Sequence, residues 1–161
     1  NLNKMLQKKI EVGLGTDSVA SNNNMDLFEE MRMAVFNPSW LETDGNNKNN
    51  SRKKDQFGAY KALKMATLGG ALTLGLSDSI GSIEIGKKAD LISVDLSKAH
   101  TRPTFCPVTT LVFSARGADV NMTMVDGKFL FKDNQILTFN ESKLYESVEV
   151  IEQRLKRLDS D

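Results

Sequence analysis

Residues 10–18 read Ile10-Glu11-Val12-Gly13-Leu14-Gly15-Thr16-Asp17-Ser18. Ile10, Val12 and Leu14 alternate with Glu11 and Gly13, and this period of two predicts a short strand over 10–14. The small, polar residues 19–24 that follow read as loop. Asp17 therefore stands just past the C-terminal end of a hydrophobic strand. In a β/α barrel, a carboxylate in that place faces the active-site mouth. There it can ligate a divalent metal and accept a proton from metal-bound water. A carboxylate at a turn also caps backbone amides with no chemistry attached, and on local pattern alone both readings stand. One strand cannot build a parallel sheet, and its backbone edges need partners. The chain is thus expected to be the tail of something larger.

Outward from that stretch, a helix is expected over residues 25–35, capped by Asn23 or Asn24. Asp26, Glu29 and Glu30 fall in its early turns, where the helix dipole favours anions. Leu27, Met31 and Val35 share a face, and Pro38 helps end the helix. Residues 37–57 change character, with Asn46-Asn47-Lys48-Asn49-Asn50 and then Arg52-Lys53-Lys54. They read as a mobile polar excursion. The basic triplet has no aromatic ladder beside it and reads as solvated loop, not as a phosphate site. Residues 60–67 are predicted helical, with further helical turns over 70–74. Gly69-Gly70 marks a tight junction or close helix packing. From Ile80 the period returns to two, with Ser82-Ile83-Glu84-Ile85 leading through Gly86-Lys87-Lys88 into a strand over 89–94. Residues 108–114 fit a strand or a short helix. Strands over 121–125 and 128–131 flank Asp126-Gly127, a strong hairpin signal, and residues 135–137 add a third. Leu144, Val148, Ile151, Leu155 and Leu158 then step by 4, 3, 4 and 3. That spacing predicts an amphipathic C-terminal helix capped by Asn140 or Ser142.

Composition narrows the function classes. The 161 residues carry 21 Lys+Arg and 21 Asp+Glu, a formal net charge of zero, which argues against a strongly basic nucleic-acid surface. Hydrophobic residues at 40% and charged residues at 26% fit a globular chain, not collagen or wholesale disorder. The single Cys forms no internal disulfide, no apolar run reaches the roughly 18–20 residues of a bilayer span, and no signal-peptide pattern opens the chain. A cytoplasmic location is expected, with no membrane and no nucleic acid as partner. One His, His100, and one Cys, Cys106, cannot supply the usual Cys/His zinc set. His100 reads as a surface or loop histidine. Cys106, followed by Pro107, reads as a buried small apolar residue. Glu29 and Glu30 are neighbours on a helix and point apart. Gly13-x-Gly15 lacks the third glycine of a dinucleotide fingerprint.

Three longer patterns bear on Asp17. The first is Gly13-Leu14-Gly15-Thr16-Asp17-Ser18-Val19-Ala20-Ser21-Asn22-Asn23-Asn24-Met25-Asp26-Leu27-Phe28-Glu29-Glu30-Met31-Arg32. The second is Met65-Ala66-Thr67-Leu68-Gly69-Gly70-Ala71 with Leu74-Gly75-Leu76. The third is Ile80-Gly81-Ser82-Ile83-Glu84-Ile85-Gly86-Lys87-Lys88-Ala89-Asp90-Leu91-Ile92, with Val125-Asp126-Gly127-Lys128 after it. In this order they resemble the last barrel strand and following helix, the helices leaving the barrel, and the small β domain of the metal-dependent amidohydrolase superfamily. The resemblance spans roughly residues 4–137. It is nearest to the chlorohydrolase-like aminohydrolases, which include the methylthioadenosine/S-adenosylhomocysteine deaminases.

The resemblance implies an α/β fold: the C-terminal fragment of a (β/α)8 metal-dependent hydrolase barrel, part of a small β-sandwich, and a terminal helix. It divides the chain into residues 1–76 (last strand and closing helices), 77–137 (part of the sandwich) and 138–161 (amphipathic helix). It implies that Asp17 binds the metal, shuttles protons and contacts the substrate. One divalent ion, zinc or iron, would activate water for attack on an aminopurine or related heterocycle, an adenosine-type nucleoside being favoured, with release of ammonia by C–N hydrolysis. No metal histidine and no acid/base glutamate of the family matches here. The chain alone is therefore expected to be inactive and not to retain the metal. Its expected partners are a heterocyclic amine substrate and either the missing N-terminal barrel segment or another copy of the chain. Two alternatives remain: a non-catalytic structural or assembly fragment, and a parent hydrolase acting on guanine or an s-triazine.

Overall fold

The computed structural model describes residues 2–37 and 57–158. Its helical part begins with α1 (Leu2–Gln7), a single helical turn α2 (Val19–Asn22) and α3 (Leu27–Phe36). Asp26 caps α3, its carboxylate accepting the Phe28 N–H at 2.8 Å. Asn23, an expected cap, instead ends α2 in the left-handed region at φ 58°. Asp26 wins because its second carboxylate oxygen also accepts the Gly117 N–H at 2.8 Å, so the cap serves local and distant backbone at once.

Helices α4 (Ala59–Lys64) and α5 (Gly70–Thr73) are one helical rod, joined by a single π-helical turn over Met65–Gly69. Residues 108–114, open between strand and helix in sequence, form α6 (Pro107–Phe113), with Pro at its first position. Helices α3, α4 and α6 pack against one another. Their shared core holds Phe28, Met31, Phe57, Ala62, Met65, Val112 and Ala115, with Leu2, Leu6, Val12 and Leu14 packed on it. This core crosses residue 76, since Val112 and Ala115 lie in the same cluster as Met31 and Met65. Of the excursion expected over 37–57, only Asn37 and Phe57 fall among the described residues, and Phe57 is buried in the core.

A four-stranded antiparallel meander follows among the described residues, in order β1 (Leu91–Val94), β2 (Val120–Val125), β3 (Lys128–Lys132), β4 (Gln135–Ile136). The turn between β2 and β3 has positive φ at both central residues, Asp126 at 49° and Gly127 at 76°, as the mirror-image hairpin turn requires. Asp133 and Asn134 repeat that backbone between β3 and β4, at 50° and 63°. Val94 and Val120 seat the sheet on the helical core. Helix α7 (Glu141–Leu158) closes the described chain, and Asn140 accepts the Lys143 N–H at 3.2 Å at its head.

The structure departs from the strand expected over 10–14. Residues 10–18 belong to neither helix nor strand, and none of the described sheet strands lies beside them. A ladder needs a neighbouring backbone. Lacking one, Val12 and Leu14 use their apolar side chains against the helical core, and the Leu14 N–H donates to the Met65 carbonyl at 3.2 Å. Ile83 and Ile85, read as strand-like, are also outside any strand and almost wholly exposed.

Candidate active site

Asp17 sits on the surface between two anchors. On its N-terminal side, Leu14 is held to Met65 of the π turn. On its C-terminal side, Asn22 donates to the Thr16 carbonyl at 2.9 Å and to the Glu30 carboxylate at 2.7 Å, tying the loop to α3. Asn24 reaches the neighbouring Glu29. Glu29 and Glu30 thus serve two different asparagines, in keeping with their divergent directions. Between the anchors, Asp17 takes φ 58°, a left-handed conformation that a short polar residue such as Asp tolerates. Its Oδ1 accepts the Ser18 N–H at 2.6 Å. The other oxygen, Oδ2, has no hydrogen-bond partner among the described residues. Capping and chemistry are therefore compatible at this exposed residue: one oxygen holds the turn, and the other is left for a further partner.

Asp17 brings one carboxylate to the surface. Among the described residues, no group of three or more His, Cys, Asp or Glu is arranged to hold a metal ion. A zinc or iron centre does not fit the described residues by themselves, and further ligands would have to come from beyond them. One cleft, of about 780 Å³, is lined by Val94, Asp95, Ser97, Arg102, Thr104 and Asn121 among others and does not include Asp17. A smaller hollow of about 370 Å³ lies beside the Asp17 segment, bounded by Leu2, Leu14, Glu30, Met33, Ala34 and Phe36.

Of two other chemistry-bearing residues, His100 keeps its reading as a surface histidine and Cys106 departs from its own. His100 is half-exposed in a short 3-10 turn, Ala99–Thr101, and its Nε2 lies 2.8 Å from Asp119 Oδ2. Asp119 is buried and also accepts Lys98 Nζ at 2.9 Å and the Arg116 N–H at 3.0 Å. Burial pushes its pKa up, but the hydrogen bonds from His100, Lys98 and the Arg116 backbone outweigh that and bring it down to about 2. The sequence reading passed over Asp119, although its place three residues after Arg116 has the spacing of a capping box. Cys106 is exposed, not buried as its sequence context suggested. It stands at the head of α6, where hydrogen bonding from the Thr109 hydroxyl and backbone lowers the thiol pKa. Its apolar character loses to its position, because the residue before an N-terminal proline lies outside the helix's buried face.

Comparison with known proteins places these features in a family context. The amidohydrolase family profile matches residues 1–130. A 5-methylthioadenosine/S-adenosylhomocysteine deaminase of Acetivibrio thermocellus is 39% identical over 153 residues, covering 95% of this chain and 33% of that protein. A 5'-deoxyadenosine deaminase of Methanosarcina barkeri is 42% identical over 146 residues, covering 91% of this chain and 31% of that protein. Among solved structures, a zinc-bound adenosine deaminase from Xanthomonas campestris superposes with a TM-score of 0.81 at 31% identity, covering 95% of this chain and 33% of that one. A zinc complex of an atrazine chlorohydrolase from Arthrobacter aurescens, at 24% identity and a TM-score of 0.75 over 92% of this chain and 31% of that one, shares the fold. The chain spans about a third of the length of these relatives. No described helix is long and apolar enough to cross a membrane.

Proposed function

The chain belongs to the amidohydrolase family, and from that premise we propose that a larger protein containing it is a metal-dependent aminohydrolase that releases ammonia from an adenosine-type nucleoside. The observation that carries the reading is the 39–42% identity to two deaminases over more than nine-tenths of this chain. In this proposal, residues 1–76 close a (β/α)8 barrel, residues 77–137 form part of a β-sandwich, and residues 138–161 add the terminal helix. Residues 10–14 would acquire ladder partners from barrel strands supplied by the rest of the protein.

Asp17 is the residue of this chain proposed to do chemistry. Its Oδ1 is held by the Ser18 N–H, which fixes the carboxylate plane. Its other oxygen, Oδ2, would take the proton of the attacking water and return it to the departing amino group, so that water and substrate leave as hydroxylated ring and ammonia. The same carboxylate would contact the substrate. A divalent ion, zinc or iron, bound to Asp17 together with ligands from outside the described residues would supply Lewis-acid activation. The zinc named in the two solved relatives supports that part of the reading. Non-catalytic use of the fragment, and a parent acting on guanine or an s-triazine, are the rivals.

The test is ammonia release by the full-length protein from 5'-methylthioadenosine, S-adenosylhomocysteine and 5'-deoxyadenosine, with guanine and an s-triazine as competing substrates. Turnover of an adenosine-type substrate is expected, and Asp17→Asn should lower kcat by about 10²–10⁴-fold without changing the melting midpoint. Turnover of guanine or the triazine alone, or full activity in Asp17→Asn, would remove the proposal.

A further inference from the structure

We propose that the π-helical turn Met65–Gly69 is the seat that positions Asp17, with Gly69 and Gly13 as positioning residues that let the two backbones touch. The role given to Asp17 rests on the aminohydrolase reading above; the seat itself rests on packing. Residues 10–18 have no strand partner among the described residues, and barrel strands pairing with 10–14 in the whole protein would still leave residues 15–17 to be fixed. The segment's main-chain tie to the helical rod is the Leu14 N–H on the Met65 carbonyl, at the first residue of the π turn. A π turn inside an α-helix is uncommon, costs regular packing, and recurs at functional sites.

The approach around that bond is closer than side chains allow. A Cβ built on Gly69 would stand 2.9 Å from the Val12 carbonyl oxygen and 3.1 Å from that of Lys64. A Cβ on Gly13 would stand 2.8 Å from Gly70 Cα and 3.3 Å from Gly70 N. Both distances fall below ordinary carbon contact, and both clashing groups are backbone, which cannot swing aside. Gly70 differs: a Cβ there meets only the Met65 carbonyl, at 3.7 Å. A Cβ on Gly15 meets nothing within 4 Å. The glycines of this region therefore divide into two that are needed for contact and two that are not.

Asp17 stands three residues on from Leu14, a reach of at most roughly 10 Å. The second anchor, Asn22 on the Thr16 carbonyl, limits the path from the other side. With both ends held, Asp17 keeps its left-handed backbone and the Ser18 N–H keeps its carboxylate. Release of the Leu14 end would let the carboxylate drift, and an ångström of drift at a reacting group costs about 10²-fold in rate.

Helix propensity and the seat make opposite predictions. Alanine is the better helix former, so propensity alone has Gly69→Ala and Gly70→Ala both stabilising the rod. The seat splits them. In the full-length protein, Gly69→Ala and Gly13→Ala are expected to speed exchange of the Leu14 amide by about tenfold or more, while β2 and β3 amides stay protected. They should also shift the Ser18 amide resonance and lower kcat by about 10²-fold, with KM nearly unchanged. Gly70→Ala should leave Leu14 exchange and the Ser18 resonance as in the wild type, and Gly15→Ala should leave kcat within about twofold. The two disruptive variants probe one contact from opposite sides, so a folding failure in one leaves the other to decide. Unchanged Leu14 exchange in Gly69→Ala or Gly13→Ala overturns the seat. Faster exchange with an unmoved Ser18 resonance overturns the positioning of Asp17, even in a protein that turns over no aminopurine. Absence of turnover in the wild type, by contrast, counts against the aminohydrolase reading alone.

Discussion

Asp119 is only 2% exposed, yet it carries a charge, because His100, Lys98 and the Arg116 N–H surround its two oxygens. Its carboxyl titrates at about 2 in the fold, against an ordinary value of 3.8. A depressed carboxylate pKa means that the folded state binds the proton less tightly than the unfolded chain. The stabilisation is therefore fully present above pH 4 and is lost as pH falls from about 4 towards 2. Asp119→Asn should cost about 1–3 kcal/mol at neutral pH, since buried donors lose a charged acceptor. The variant's melting midpoint should also fall less steeply between pH 4 and 2. Equal midpoints for both proteins at pH 7 would refute this account. At this scale the sequence exposed some residues and hid others. Asp17 could be singled out, and its role proposed, because it follows an apolar alternation and begins a polar loop. Asp119 was not, because its partners at 98 and 100 meet it only through the fold. Cys106 was misread because residue type suggested burial and only the position of α6 shows exposure.

Elements built from local rules were readable, and elements that depend on distant backbone were not. Asp126-Gly127 announced a hairpin because few dipeptides accept positive φ twice, and the chain does so there. The apolar steps from Leu144 to Leu158 likewise fixed α7, whose hydrogen-bonded pattern is internal to it. Residues 10–14 have the right alternation but no neighbour among the described residues, and alternation alone does not supply one. The π turn left no periodic trace. Only Gly69-Gly70, read as close packing, hinted at it, and the contacts with Val12 and Gly13 bear that reading out. The hairpin gives the sharpest test at this scale. Gly127 has φ 76° and open space where a Cβ would go, so a side chain there meets no clash and the cost is backbone alone. Gly127→Val should lower stability by about 1–2 kcal/mol, read from urea or thermal unfolding. Gly127→Asn, whose side chain tolerates the left-handed region, should lose much less. Equal losses from Val and Asn would show that the turn does not hold this backbone in solution.

For the molecule as a whole, ligand supply and surface character decide behaviour. With Asp17 as the one matching carboxylate and no three-ligand group among the described residues, the isolated 161-residue chain should carry no stoichiometric zinc or iron. Elemental analysis of the purified chain checks this, and a full equivalent of metal that disappears in Asp17→Ala would contradict it.

The surface supports a second, independent prediction. Leu144, Val148, Ile151, Leu155 and Leu158 form one stripe of α7 and are each between 42% and 73% exposed. Such 4-3-4-3 spacing is the seam of a helix that packs on another surface, and in a folded chain it would ordinarily be covered. Ile83, Ile85 and Phe105 are almost fully exposed as well. The backbone of residues 10–14 adds peptide groups without ladder partners among the described residues. Apolar patches of this extent drive association in water, and backbone outside any ladder adds sites for strand pairing. Zero formal charge removes the long-range repulsion that would keep copies apart. The 161-residue chain on its own should therefore associate, with a scattering mass that rises with concentration. Replacing Val148, Ile151 and Leu155 together by Glu should reduce that association while leaving the β2–β3 amides protected, because these side chains are exposed and outside the core. A compact monomer at every concentration would show that the chain satisfies its own surface and that the stripe on α7 is simply tolerated by water.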